Sequence, residues 1–226
     1  NNTNLDPVPI LISPQPPVDL ATQTITIPQP EQPTASVDAQ PGVPASIEYT
    51  VQNLSANEVN GRWNDSIYIS EDDQWDIEDE LFARVPINGP LAANGGSYSE
   101  TVEAPMPALE PGDYHVIVRS DIRNVLPESD EQNNLRVSVD EFRLDATALT
   151  LGQTATATLE TDESDFYRFD VAAGETVLIT LDTDSNFAAT ELLVGHEDVP
   201  TRSQYDFRTQ EVFTPDGEIR IDATQA

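Results

Sequence analysis

Apolar and polar residues alternate in short runs from Ala45 onward. In SIEYTVQN, Ile47, Tyr49 and Val51 fall on one side. In RWNDSIYIS, Trp63, Ile67 and Ile69 do the same. YHVIVRS groups Tyr114, Val116 and Val118, and LRVSV groups Leu135, Val137 and Val139. A period of two over four to eight residues predicts half-buried antiparallel strands. Turn signals separate them: NGP at 88–90, NGG at 94–96 and PGD at 111–113. No amphipathic helical period stands out. Around seven strands in roughly a hundred residues predict an immunoglobulin-like antiparallel β-sandwich. Tyr114 follows a Pro-Gly turn at a strand start, where a tyrosine corner sits, and Trp63 opens the strand that often buries a tryptophan. Two ordinary core aromatics would look the same.

The flanks read differently. Ten of the 18 prolines fall within the first 44 residues. Proline fixes φ and removes a donor, so this stretch reads as linker and edge structure, with PVPILIS and TQTITIP as short strands. After Glu141, the run LTLGQTATATLETDESDFYRFDVAAGETVLITLDTD predicts three strands with turns at DESD and AAGE. TELLVG, QYDFRT and GEIRID follow. The expected organisation is therefore all-β: a linker over 1–17, a sandwich over 18–140, and a second β-unit over 141–226. The chain opens without methionine and stops after a strand, so it reads as a piece of a longer protein whose second unit lacks its last strand.

Charge changes the picture of partners. The formal charge is −31, from 41 acids against ten bases, and every base is arginine. Residues 18–140 carry 22 acids and residues 141–226 carry 18, so the acidity is not a tail. Nucleic acid and anionic membranes need clustered cations and are disfavoured as partners. No run approaches the ~20 apolar residues that span a bilayer, so no membrane insertion is expected. A field this negative attracts cations and keeps the chain soluble; adaptation to salt and specific calcium binding are both open readings. Cysteine is absent, which removes disulfides, thiolate metal sites and cysteine catalysis.

Two acidic clusters carry the candidate chemistry. Seven of the ten residues from Glu71 to Glu80 are acidic. Asp72, Asp73, Asp76 and Asp79 could curl around a calcium ion, which takes six to eight oxygens. The EF-hand spacing is not met. The competing reading is a solvated turn held by Trp75 packing on the core. The second cluster, Asp121, Asn124, Glu128 and Glu131, connects the two late strands. Calcium ligation and plain turn capping by Asn and Asp compete there, with capping favoured. Antiparallel strand order puts this cluster beside Asn64 and Asp65, at the end of the sandwich opposite the first loop.

Catalysis finds little footing. His115 is out of phase with Tyr114, Val116 and Val118 and should face away from the core. No nucleophile elbow, zinc-spaced histidine pair or phosphate loop is present.

The stretches WNDSIYISEDDQWDIEDELF and LEPGDYHVIVRSDIRNVLPESDEQNN resemble the CARDB family, the cell-adhesion-related Ig-like domain of bacterial surface proteins. Asp72, Asp76 and Asp79 stand at the family's recurring aspartates. Asp121, Asn124, Glu128, Ser129, Glu131, Asn133 and Asn134 match its second motif. NNTNLDPVPILIS resembles the NNLRVSVDEF that closes this unit, which implies neighbouring repeats in the same chain. DFYRFDVAAGETVLITL and VPTRSQYDFRT resemble a bacterial pre-peptidase C-terminal (PPC) domain, which implies a jelly-roll-like sandwich. Together the resemblances imply a non-catalytic adhesion or display module, secreted or at the cell surface, meeting protein or polysaccharide. The alternative is a substrate-binding accessory region of a secreted hydrolase, for which Tyr205 and Phe207 would be the residues to inspect.

Overall fold

A computed structural model describes residues 15–28, 36–211 and 213–222. The expected strand PVPILIS, and with it the repeat resemblance at the start of the chain, lies outside the described residues. Eight strands build the first unit: β1 Leu20–Thr26, β2 Ser36–Ala39, β3 Pro44–Asn53, β4 Arg62–Ser70, β5 Glu80–Asn88, β6 Ser97–Pro105, β7 Gly112–Arg119 and β8 Leu135–Leu144. They form two sheets, β1-β3-β6 and β2-β8-β7-β4-β5. All neighbours are antiparallel except β2, which runs parallel to β8. This is the expected Ig-like sandwich.

The core follows the period-two reading. Ile47, Tyr49 and Val51 of one sheet meet Trp63, Ile67 and Ile69 of the other, with Tyr114, Val116 and Val118, and all are buried. Fully burying side chains of this size stabilises by about 1.5–3 kcal/mol each, which is why these strands hold their register. Tyr114 makes the tyrosine corner: its hydroxyl donates to the Glu110 carbonyl at 2.8 Å. Burial, then the nearby Glu71 and Glu110 charges, push its phenol up to about 12.

One strand departs from the expectation. Leu135, Val137 and Val139 do not form a core face. His115 pairs with Glu141 and Ile117 with Val137, so Ser138, Val139 and Asp140 face a single residue, Val116. This is a bulge. The Ser138 hydroxyl accepts from the Val116 N–H at 2.9 Å and donates to the Asp140 carbonyl at 2.6 Å, which fixes the kink. Val139 is turned out and 88% exposed, and beyond the bulge Phe142 and Leu144 enter the core.

Beyond Leu144 the described strands are short: β9 Thr147–Ala148, β10 Tyr167–Arg168, β11 Val177–Leu181, β12 Leu193–Val194, β13 Phe207–Arg208 and β14 Gly217–Ile221. They join only in pairs, β9 with β10 in parallel, and β11 with β14 and β12 with β13 antiparallel. The stretch LTLGQTATATLE, expected to hold a strand, is turn and coil beyond β9, and Leu151 and Leu159 are exposed. Among described residues of this unit, Val177, Thr209 and Ile219 are buried. Two-stranded pairs with so few buried side chains draw little stability from packing. The described residues are all-β, and no helix among them is long and apolar enough to cross a membrane.

Candidate functional site

Strand β4 separates the two acidic clusters. It starts beside the connection between β7 and β8 and ends at the Glu71–Asp79 loop. The Ile122 N–H donates to the Asn64 carbonyl at 2.9 Å, and the Asp121 N–H donates to Asp65 Oδ1 at 3.1 Å. The clusters therefore sit at opposite ends of the sandwich, and Asn64 and Asp65 lie where antiparallel order puts them.

The first loop turns its carboxylates inward on its own backbone. Asp72 accepts from the Gln74 N–H and Asp76 from the Glu78 N–H, each at 2.7 Å. Asp79 accepts from the Asp76 N–H at 2.9 Å, and the Ser70 hydroxyl accepts from the Asp72 N–H at 3.2 Å. These are the turns that short acidic side chains make with neighbouring amides. Asp72, Asp73 and Asp76 are exposed and Asp79 is half-buried. Trp75 does hold the loop, though not by packing on the core. Its ring meets Tyr68 edge-on at 5.9 Å, on the outer face of the sheet, and the Arg119 guanidinium lies 3.9 Å over it. Tyr68 pairs across β4–β7 with Ile117, which is buried on that outer face. Among the described residues, no three His, Cys, Asp or Glu side chains converge in metal-holding geometry. Asp72, Asp76 and Asp79 serve as turn caps, and the quartet with Asp73 does not fit a preformed calcium cage.

The second cluster is built into the fold. Asp65 lies in phase with Trp63, Ile67 and Ile69 on the core face of β4 and is fully buried. Its Oδ2 accepts two phenols from the opposite sheet, Tyr98 at 2.6 Å and Tyr49 at 2.9 Å. A single carboxylate thus ties β3 and β6 to β4 and to the Asp121 backbone. Burial pushes the Asp65 carboxyl up to about 6; the Tyr98, Tyr49 and Asp121 hydrogen bonds oppose this, and the Asp121 charge adds to it. The same pairing, with burial as the larger cause, drives both phenols upward.

Asp121 is also fully buried, with a left-handed backbone at φ 41°. Its Oδ2 accepts from the Leu126 N–H at 2.8 Å, while its buried Oδ1 has no partner. Glu128 accepts from the Leu20 N–H at 2.6 Å and from the Asn134 amide at 3.0 Å. Burial raises Glu128 to about 7, against those two hydrogen bonds and with the Glu131 and Asp121 charges adding to the rise. Glu131 accepts from the same Asn134 amide at 3.3 Å. The Asn134 carbonyl oxygen Oδ1 is buried and unpartnered. Asn124 stands apart: it is exposed, has φ 46°, and its N–H closes a turn onto the Asp121 carbonyl at 2.8 Å. Among the described residues no ion pair reaches Asp65, Asp121, Glu128 or Glu131.

Sequence reasoning placed Asp65 near this cluster and missed its two tyrosine partners. The signal was present, since a carboxylate in phase with three core residues of one strand must find buried donors. His115 faces away from the core as expected, with Nε2 3.1 Å from Glu141. In the second unit, Arg208 lies 5.4 Å over the Tyr205 ring, and Phe207 is partly exposed.

Residues 24–138, just over half of the chain, match the CARDB family profile. No curated protein matches the chain. Among solved structures, the chain is similar to the crystal structure of a CARDB domain from a Pyrococcus furiosus protein in complex with di-metal ions, at 17% identity and a TM-score of 0.40, covering 58% of this chain and 97% of that one. A solution structure of the same domain aligns at 20% identity and a TM-score of 0.39, covering 57% of this chain and 97% of that one. A β-glucosidase from Listeria innocua aligns at 17% identity and a TM-score of 0.32, over 56% of this chain and 16% of that one. With the family match covering the sandwich from within β1 into β8, the chain belongs to the CARDB family.

Proposed function

We propose that this chain is a non-catalytic structural and adhesion module of a secreted or surface-exposed bacterial protein, set in series with neighbouring domains. The observation that carries this is where the chain enters and leaves the sandwich. The Val18 N–H donates to the Pro127 carbonyl, and Leu20 is tied to Glu128, at the buried acidic end. Strand β8 leaves at the other end, where Leu144 pairs with Gly112 and Ala39. Entry and exit at opposite ends suit a unit that extends a stalk and carries load along its axis. Calcium between loops at a domain end would stiffen such a stalk by limiting hinge motion.

The unit after Leu144 is read as a PPC-like sandwich, the second module of the same stalk. Surface protein or polysaccharide would be the partner. The accessory-region alternative draws no support from Tyr205, since Arg208 lies over that ring.

Force spectroscopy on the full chain, held at its two ends, tests the reading. The sandwich should give way in one step that releases about 3.5 Å of length for each freed residue. Gradual extension without a force peak would contradict a load-bearing role. Turnover of polysaccharide or protein substrates by the purified chain would contradict the non-catalytic reading.

A further inference from the structure

The acidic end gathers Asp65, Asp121, Glu128 and the exposed Glu131, and among the described residues none of them is in an ion pair. Asp65 has three donors and Glu128 has two, so their lone pairs are partly served. Asp121 is different. It is fully buried and one of its oxygens faces no donor at all. The Asn134 amide oxygen, on a residue only 5% exposed, is in the same position. A buried carboxylate oxygen left without a donor is costly, and native interiors resolve it with a donor, water or an ion. Here the surrounding groups are themselves acids: the Asp121 charge acts on both Asp65 and Glu128. Further negative charge in a low-dielectric site is relieved most directly by a cation.

We propose that this end binds one calcium ion, ligated by Asp121, Glu128 and the Asn134 amide oxygen, with water completing its shell. Two carboxylates balance the charge of a divalent ion. All-oxygen donors, one of them a neutral amide, suit a hard cation and exclude a thiolate or imidazole metal. A shell drawn partly from loop side chains and water tolerates the irregular geometry that calcium accepts and magnesium does not. All three ligands lie in the connection between β7 and β8, and Glu128 also accepts from the Leu20 N–H, so the ion would brace this connection where the start of β1 is held against it. The Glu71–Asp79 loop takes no part, because none of its acids is buried with an oxygen left unpartnered. The inference deepens the calcium element of the proposed function and does not depend on the stalk role.

The test is calorimetric titration of calcium chloride into chelator-stripped full chain, repeated with magnesium chloride at constant ionic strength. One saturable calcium site is expected, with magnesium at least tenfold weaker. Asp121→Asn and Glu128→Gln should each weaken binding tenfold or more, while the triple variant Asp72→Asn, Asp76→Asn, Asp79→Asn should bind as wild type. Should a buried-site variant fail to fold, amide shifts of the wild type answer instead: saturation should move Leu20, Asp121, Leu126 and Asn134. No saturable calcium binding, equal magnesium affinity, loss of binding in the loop triple variant, or shifts confined to Gln74, Asp76 and Glu78 would each overturn the proposal. The force experiment stands or falls separately, since a sandwich can bear load with or without the ion.

Discussion

The loop after β4 and the connection before β8 are both rich in acids, yet they sit in different physical states. The loop carries seven acids in ten residues, all of them exposed except the half-buried Asp79. Water screens their repulsion, and their oxygens cap neighbouring amides. The connection carries fewer acids, but Asp121 is buried, Glu128 is partly buried, and Asp65 beside them is buried in the core. There every unserved oxygen matters, because the site is shielded from bulk water and, among the described residues, no ion pair reaches these acids. The density of acids along a sequence marks solvated charge. Position within the strand period and the turn marks which acids the fold must satisfy.

Substitutions should separate the two regions in proportion. Asp65→Ala leaves the Tyr49 and Tyr98 hydroxyls without their acceptor, and each buried unsatisfied donor costs about 1–3 kcal/mol. A loss of about 3 kcal/mol is expected, read as a lower urea midpoint at unchanged slope. A loss below 1 kcal/mol would mean that the inter-sheet tie is dispensable.

The pH dependence gives the next effect. The folded Asp65 carboxyl sits at about 6, above its ordinary 3.8, so the folded state holds this proton more tightly than the unfolded one. Its contribution to stability is full below about pH 4 and is lost as pH rises through about 6. Without divalent ions, wild type should lose on the order of 2 kcal/mol more than Asp65→Asn between pH 4 and 7.5. Parallel pH profiles for the two proteins would contradict the assignment.

Tyr114→Phe removes the bond to the Glu110 carbonyl and should cost about 1 kcal/mol in the same denaturation experiment. The smallest effect belongs to the acidic loop. The triple replacement of Asp72, Asp76 and Asp79 by Asn should stay within about 0.5 kcal/mol, because Asn caps the same amides and exposed charges contribute little. A larger loss there would give the loop a structural weight that its exposure does not suggest.

Much of the sandwich was legible because its strands keep strict alternation over buried positions. Ile47, Tyr49 and Val51, and Trp63 with Ile67 and Ile69, entered the core as the period required. Tyr114 was legible from the Pro-Gly turn before it. Strand β8 was not, because the bulge at Ser138–Asp140 changes which residues face inward, and the serine that fixes it looks like any polar residue in a strand. Alternation in the second unit was visible, but it does not say which strands will pair or what will cover them. The two acidic clusters were found and ranked by density and motif. Burial reverses that ranking, and burial follows from how β1, β4 and the β7–β8 connection close on one another over long sequence separations. Asn124 matched its motif position and proved to be a turn residue, since a motif records which residues recur and not which atoms face inward.

Native-state hydrogen exchange on the unsubstituted chain, stripped of divalent ions, tests the difference between the two ends most directly. The amides of Leu20, Asp121 and Leu126 donate to or abut the buried carboxylates and should exchange only through global opening, tracking the unfolding free energy measured by urea. The amides of Gln74, Asp76 and Glu78, bonded to aspartates of the surface loop, should exchange through local opening that is nearly insensitive to urea. If the loop amides prove as protected as those at the buried end, or if the buried end opens locally while the core stays closed, the account of one structural and one solvated acidic region is wrong.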